Sequence, residues 1–269
     1  MSCIKKELKV GRFIIPYRIY ENDGPHIVCV NGVQQSMAMW HTFVRRFSHD
    51  YRVVLFDFPD QGKGKILSGP ARVSFDEQVE ILLKVMDGTK TNSNATLCAA
   101  SWGGVVAVGF AAKYGERIKR LILASLGTKP NKNMVETIKL GTKIDMNNRK
   151  EMARVLIKSF GESLTEQFKQ KIISQFNTMS EENLRAFSEH GLFVIASKKL
   201  TDLVDLKKIK VKTILINGEK DTIIDLDDVK SLACQIPNCE MKIIKGVGHF
   251  LHMEREEVLD IYAEILSSR

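Results

Sequence analysis

Ala99-Ala100-Ser101-Trp102-Gly103-Gly104 is the stretch on which the reading of this chain turns. It follows an apolar run, 95–100, that reads as a buried strand. It opens residues 102–114, which are rich in small side chains and read as a helix. A serine at such a hand-over takes a strained backbone conformation. Small residues are then needed two before and two after it, so that strand and helix do not collide. Ala99 and Gly103 meet that need. Ser101 would also sit at a helix N-terminus, where free N–H groups and the helix dipole favour developing negative charge. Taken alone, small-x-Ser-x-Gly arises often by chance, and its ordinary use is a tightly packed helix start. The strand before and the helix after it favour a nucleophile.

Working outward, strands and helices alternate. Residues 8–21 read as a hairpin about Gly11, and 26–30 and 51–57 as buried strands separated by a helix at 39–47. Ser74-Phe75-Asp76-Glu77 is a capping box opening a helix. Residues 120–125 form a further strand. The alternation implies an α/β fold, a mostly parallel sheet with helices on both faces. It breaks at 130–205, which has helix-like segments and no convincing strand. It resumes with strands at 211–217 and 240–245 and helices at 227–235 and 255–266. The expected organisation is one core, 1–129 and 206–269, interrupted by a helical cap insertion, 130–205.

Two later strands each end in a turn that carries a polar side chain. Residues 214–221 run from Ile214 through Asn217-Gly218 to Asp221, and 241–249 end in Gly246-Val247-Gly248-His249. Ligands collect at the C-terminal ends of strands in such sheets, and the order Ser, Asp, His fits one known arrangement of a catalytic triad. Ser101 would be the nucleophile and His249 the general base. Asp221 would hold the imidazole's tautomer. Glu219 and Asp225 are nearby acids, but Asp221 has the better position after Gly218. His252 is read as a surface residue or a pocket wall, and His26, His41, His49 and His190 lack a motif. A tetrahedral oxyanion needs two N–H donors. Trp102 would supply one and Val33, after the Asn31-Gly32 turn, the other. An ordinary Asn-Gly turn would look the same without the triad.

Composition narrows the field. At 269 residues and 44% hydrophobic content the chain can bury a sizeable core. No apolar run is long enough to span a bilayer, and the first residues lack a secretory h-region. The five cysteines are odd in number and show no CxxC spacing, which fits a reduced, cytoplasmic protein. The net charge of +8 comes from dispersed lysines without interleaved aromatics, so no nucleic-acid partner is expected. No HExxH or HxH cluster occurs, and neither a metal nor a cofactor is expected. The segment 130–205 is rich in Met and Phe, including Met134, Met152, Phe160, Phe176 and Phe193. Most of these should pack the insertion, and some would line an adaptable apolar pocket suited to an acyl chain.

The chain resembles the α/β-hydrolase superfamily. It resembles more closely the 3-(3-hydroxyalkanoyloxy)alkanoic acid synthases, which make the rhamnolipid precursor, and the related 3-hydroxyacyl carrier-protein transacylases. The matching stretches include Val30-Asn31-Gly32, 53–57, Ala100-Ser101-Trp102-Gly103-Gly104, Ile216-Asn217-Gly218 with Asp221, and Gly248-His249-Phe250-Leu251. The resemblance implies that Ser101, Asp221 and His249 form a serine triad. It implies 3-hydroxyacyl thioesters, carried on acyl carrier protein or coenzyme A, as substrates. Ala99 stands where the superfamily usually has Gly, and Asn31 where many relatives have His. Asp57-Phe58-Pro59-Asp60-Gln61-Gly62 echoes a structural turn of the superfamily, with Asp60 and Gln61 replacing Gly and His. Hydrolysis of esters or thioesters and acyl transfer to a hydroxyl would share one acyl-enzyme. The alternative is a non-catalytic, receptor-like small-molecule binder of the same fold. A haloalkane dehalogenase is disfavoured, because its nucleophile would be Asp where Ser101 stands.

Overall fold

The computed structural model describes residues 2–59 and 61–268, so the departure at Asp60 lies outside the described residues. The strands are β1 (Cys3–Val10), β2 (Phe13–Tyr20), β3 (His26–Val30), β4 (Arg52–Phe56), β5 (Lys65–Ile66), β6 (Ala95–Ala100), β7 (Ile118–Ala124), β8 (Lys212–Gly218) and β9 (Cys239–Ile244). The helices are α1 (His41–Phe47), α2 (Phe75–Gly88), α3 (Trp102–Tyr114), α4 (Lys132–Gly141), α5 (Arg149–Phe160), α6 (Glu166–Thr178), α7 (Glu181–Ala196), α8 (Leu200–Leu203), α9 (Leu226–Gln235) and α10 (Val258–Ser267). Short 3-10 turns precede α1 and α10. The hairpin expected at 8–21 is longer, pairing Cys3 with Tyr20, and β5 adds a two-residue strand that its exposed, charged sequence did not signal.

The sheet runs β1-β2-β4-β3-β6-β7-β8-β9, with β5 beside β2. Pairing is antiparallel through β2–β4 and parallel from β4–β3 onward. The chain's path reverses direction at β3, which lies between β4 and β6, so a crevice opens at the strand ends there.

Alternation along the buried strands sorts their side chains onto two faces. Val28, Val54, Leu97, Leu121 and Leu215 pack with α2, α3 and α9. Ile27, Val53, Cys98, Ile122 and Ile214 pack with α1 and α10. Cys29 and Cys98 are buried free thiols in register on neighbouring strands. α2 starts with the expected capping box, in which Ser74 Oγ accepts from Glu77 N–H and the Glu77 carboxylate accepts from Ser74 N–H.

α3 is buried over most of its length, and its glycines serve three separate contacts. A Cβ on Gly103 would meet the Asn31 carbonyl oxygen at 2.4 Å, and one on Gly104 the Leu126 side chain at 3.0 Å. Gly109 makes room for Phe75 of α2 rather than for the sheet.

Between β7 and β8 the described residues form helices α4–α8 and no strand. Met152, Ala153, Phe176 and Leu184 make a small core of their own there. Met134 and Val194 instead join the core beside α3, and Phe193 meets Trp102 edge-on at 5.4 Å. The segment leaves and returns at one place, where Leu200 N–H donates to the Thr128 carbonyl at 2.8 Å.

Candidate active site

Ser101 stands between β6 and α3 with φ 50° and ψ −122°, a left-handed conformation that a side chain disfavours. The surroundings hold it there. Its N–H donates to the Ala124 carbonyl at 2.8 Å, and Gly104 N–H returns to its own carbonyl at 2.8 Å. The close approach of α3 to Asn31 at Gly103 leaves the turn no room to relax. The first N–H groups of α3, Trp102 among them, have no intrahelical acceptor.

Asp221 and His249 come together on the loops after β8 and β9. His249 Nδ1 lies 2.8 Å from Asp221 Oδ2, and both side chains are almost wholly buried. The other carboxylate oxygen accepts from the N–H groups of Ile223 and Ile224 at 3.0 and 3.1 Å. With Nδ1 committed to the carboxylate, Nε2 is the ring nitrogen left to exchange a proton. Gly218 lets the two loops meet, since a Cβ there would fall 2.2 Å from the carbonyl oxygens of Val247 and Gly248.

The backbone around His249 is clamped from both sides by residues that the sequence did not single out. Ser125 Oγ donates to the His249 carbonyl at 2.6 Å, and Glu254 accepts from Gly248 N–H at 2.6 Å and Phe250 N–H at 2.9 Å. Ser125 itself has φ 53° at the end of β7. Glu219 accepts from Gly246 N–H, and Asp225 accepts from Asn131, so neither of these competing acids pairs with His249.

The Asn31 loop is braced from beneath. The Asn31 amide donates to the Phe56 carbonyl at 2.9 Å and to Asp57 at 3.1 Å, and its oxygen accepts from Trp40 Nε1 at 2.9 Å. Asp57 also accepts from the N–H groups of Met37 and Lys63. Burial pushes the Asp57 carboxyl above its usual range, against the pull of these donors. The Gln61 amide, turned to suit its neighbours, donates to the Gly32 and Gln35 carbonyls. The turn that echoes the superfamily thus ties the loop down. Gly32 N–H is taken by Gln35 Oε1 at 2.9 Å, while Val33 N–H donates to no other described residue. Gln34, with φ 60°, reaches the Phe187 carbonyl on α7.

Two cavities open at Ser101. One, about 300 Å³ with its mouth, is bordered by Ser101, His249, Gln35, Met39, His252 and Tyr262. The other, about 490 Å³ with its mouth, is walled by Val105, Leu126, Met134, Val194, Leu200 and Ile224. Ser101 and His249 thus border one cavity, but no direct hydrogen bond joins their side chains in this structure. Of the methionines and phenylalanines in the insertion, Met134 reaches the larger cavity, while Met152 and Phe176 pack internally. His252, expected at the surface or on a pocket wall, is a pocket wall and is 5% exposed. It stacks on Trp40 at 5.7 Å.

Comparison with known proteins fits this geometry. A family model described as alpha/beta hydrolase fold matches residues 25–158. A solved alpha/beta hydrolase enzyme from a Medee basin deep-sea metagenome library superposes with a TM-score of 0.83, covering 98% of each chain at 20% identity. The chain has the alpha/beta hydrolase fold. Curated relatives that the chain matches carry the names of enzymes. An (R)-3-hydroxydecanoyl-ACP:CoA transacylase of Pseudomonas putida is 22% identical over 91% of this chain and 84% of its own length. A monoacylglycerol lipase of Homo sapiens is 25% identical over 91% of this chain and 75% of its own.

Proposed function

We propose that this alpha/beta hydrolase is a serine enzyme that acts on acyl esters or thioesters through an acyl-enzyme. The observation that carries the reading is the buried His249–Asp221 pair at 2.8 Å, whose ring borders the same cavity as the strained Ser101.

Ser101 Oγ attacks the acyl carbonyl while His249 Nε2 takes its proton. Asp221 fixes the tautomer and stabilises the imidazolium. The N–H groups of Val33 and Trp102 receive the oxyanion, which binds more tightly than the ground-state carbonyl. His249 returns the proton to the leaving thiol or alcohol, and the acyl group stays on Ser101. Water or a substrate hydroxyl then resolves the ester.

Residues 130–205 act as a cap over the core formed by 1–129 and 206–269. The cap contributes Met134 and Val194 to the larger cavity, whose apolar walls suit an acyl chain. The name of the Pseudomonas putida relative favours 3-hydroxyacyl thioesters on acyl carrier protein or coenzyme A. The free cysteines fit a reducing, cytoplasmic setting. Intact mass spectrometry after incubation with a panel of acyl thioesters tests the reading. One acyl mass should be added to the protein and none to Ser101→Ala. An adduct that persists in Ser101→Ala would sink it.

A further inference from the structure

Strand β9 is an edge of the sheet, paired with β8 on one side and with no strand of the described residues on the other. Thr213 N–H donates to the Asn238 carbonyl at 2.8 Å, and Glu219 N–H to the Ile244 carbonyl at 2.9 Å. In a parallel ladder the backbone groups of every second residue turn to the same neighbour, so those of Glu240 and Lys242 also face β8. The N–H and C=O groups of Cys239, Met241 and Ile243 face the other way and have no backbone partner among the described residues. Met241 and Ile243 are both 36% exposed. They lie on the same side of the strand as Cys239, which packs against the α9 core, so the open edge carries an apolar stripe beside its free backbone groups.

Edges are commonly protected by charge, and β1 at the opposite end of the sheet fits that pattern, with Lys5, Lys6 and Lys9 against Glu7 alone. The charges of β9 are different. Glu240 and Lys242 are opposite in sign and flank Met241. A second copy added to this edge about a two-fold axis runs antiparallel, and the residue on the axis decides which side chains oppose each other. An axis at Glu240 sets two carboxylates face to face, and one at Lys242 sets two ammonium groups face to face. An axis at Met241 sets Glu240 of each copy opposite Lys242 of the other, in the kind of pair where side chains come closest. The backbone agrees with that register. Met241 exchanges N–H and C=O with its counterpart, and Cys239 of each copy does so with Ile243 of the other. Glu240 now reaches Lys212 of β8 at 3.7 Å, and both side chains are partly exposed, so the carboxylate can take a second cation.

We propose that β9 is an interface between two copies of this chain, which join edge to edge about Met241 into one continuous sheet. Met241 packs on its counterpart, and Ile243 of each copy packs beside Cys239 of the other. The proposal is independent of the serine chemistry, yet it bears on the same region. β9 leads into the loop that carries His249, and within one chain that strand is paired from one side only.

Sedimentation equilibrium of the full chain tests the interface. The unsubstituted chain should be a dimer that dissociates on dilution, with a Tm that rises with concentration. Glu240→Lys and Lys242→Glu each set like charges across the axis and should weaken the dimer by about tenfold. Glu240→Lys together with Lys242→Glu restores opposite charges in the same register and should regain the dimer. Met241→Pro removes an N–H that faces away from β8, where an edge strand accepts proline, so it should fold and be monomeric. The two charge positions carry exposed or half-buried side chains and keep the test open if Met241→Pro does not fold. A monomer at every concentration would overturn the proposal. So would a dimer of unchanged strength in both single charge variants, or a double variant no tighter than either single one.

Discussion

The Ser125 hydroxyl donates to the carbonyl of His249 at 2.6 Å, joining the end of β7 to the loop after β9. The bond is buried and spans much of the sequence. It fixes the height of the imidazole above the sheet, because the ring's other anchor, Asp221, holds only Nδ1.

Ser125→Ala removes that donor and leaves a buried carbonyl unpaired, at a cost of about 1–3 kcal/mol. The expected result is a kcat lowered by about an order of magnitude with little change in KM, since small misplacement of a catalytic group acts on the transition state. Steady-state kinetics on a p-nitrophenyl ester, with Tm as the folding control, check this. A KM effect alone would contradict the positioning role.

Gly103→Ala drives a methyl group into the Asn31 carbonyl oxygen, 2.4 Å from the ideal Cβ. The neighbour is backbone and cannot rotate away. A destabilisation of roughly 3 kcal/mol or failure to fold is expected, at the upper end for overpacking. Ala99 is a methyl-bearing residue on the strand side of the same turn and is 1% exposed, so the chain tolerates a side chain there. Urea denaturation of Gly103→Ala measures the difference, and a loss below 1 kcal/mol would show that α3 can shift.

His252 carries a pH signature. Its pKa falls from 6.5 to about 4 on folding, so the unfolded chain binds the proton more readily. The term is fully present above pH 6.5 and is lost as pH falls toward 4, by ~3 kcal/mol over that window. The packed neighbours Trp40 and Phe43 carry no charge, and Tyr262 stays protonated throughout. Unfolding free energies at pH 7 and pH 4.5 should differ less in His252→Phe than in the unsubstituted chain. Equal differences would place the acid sensitivity elsewhere.

Asn31→Asp tests the brace beneath the 31–35 loop. The change keeps the shape but removes the donor to Phe56 and Asp57, and sets two carboxyls side by side. One of them then holds its proton above the ordinary range, adding to the burial that already raises Asp57. A pKa raised on folding gives stability that fades as pH rises, so the variant should be more stable at pH 5 than at pH 7.5. Thermal melts at both values decide the sign.

The parallel strands were legible because they are continuous apolar runs, and the turns after them because Gly and polar residues cluster where strands end. The expectation that Ser101, Asp221 and His249 sit on turns at the strand ends followed from those same residues. The clamps were not legible. Ser125 looks like any serine at a strand end, and its function depends on a carbonyl supplied more than a hundred residues later. Glu254 is a surface-type residue whose carboxylate turns inward to two N–H groups. His252 was hidden for a related reason. Its burial comes from Trp40, Phe43 and Tyr262, which only the packed 3-10 turn before α1, α1 itself and α10 bring to it. Gly109 showed the reverse case, where a small residue was visible but the partner it admits, Phe75 rather than the sheet, was not.

A bond between Leu200 N–H and the Thr128 carbonyl closes the helical excursion at its stem. Departure and return coincide there, while Gln34 on the Phe187 carbonyl and Phe193 against Trp102 hold the excursion to the core at a second place. A different helical module could be grafted at residues 128 and 200 without altering the strand order below, and the turns that carry Ser101, Asp221 and His249 would keep their footings. Selectivity and bond-breaking can then diverge independently in descendants of such a chain.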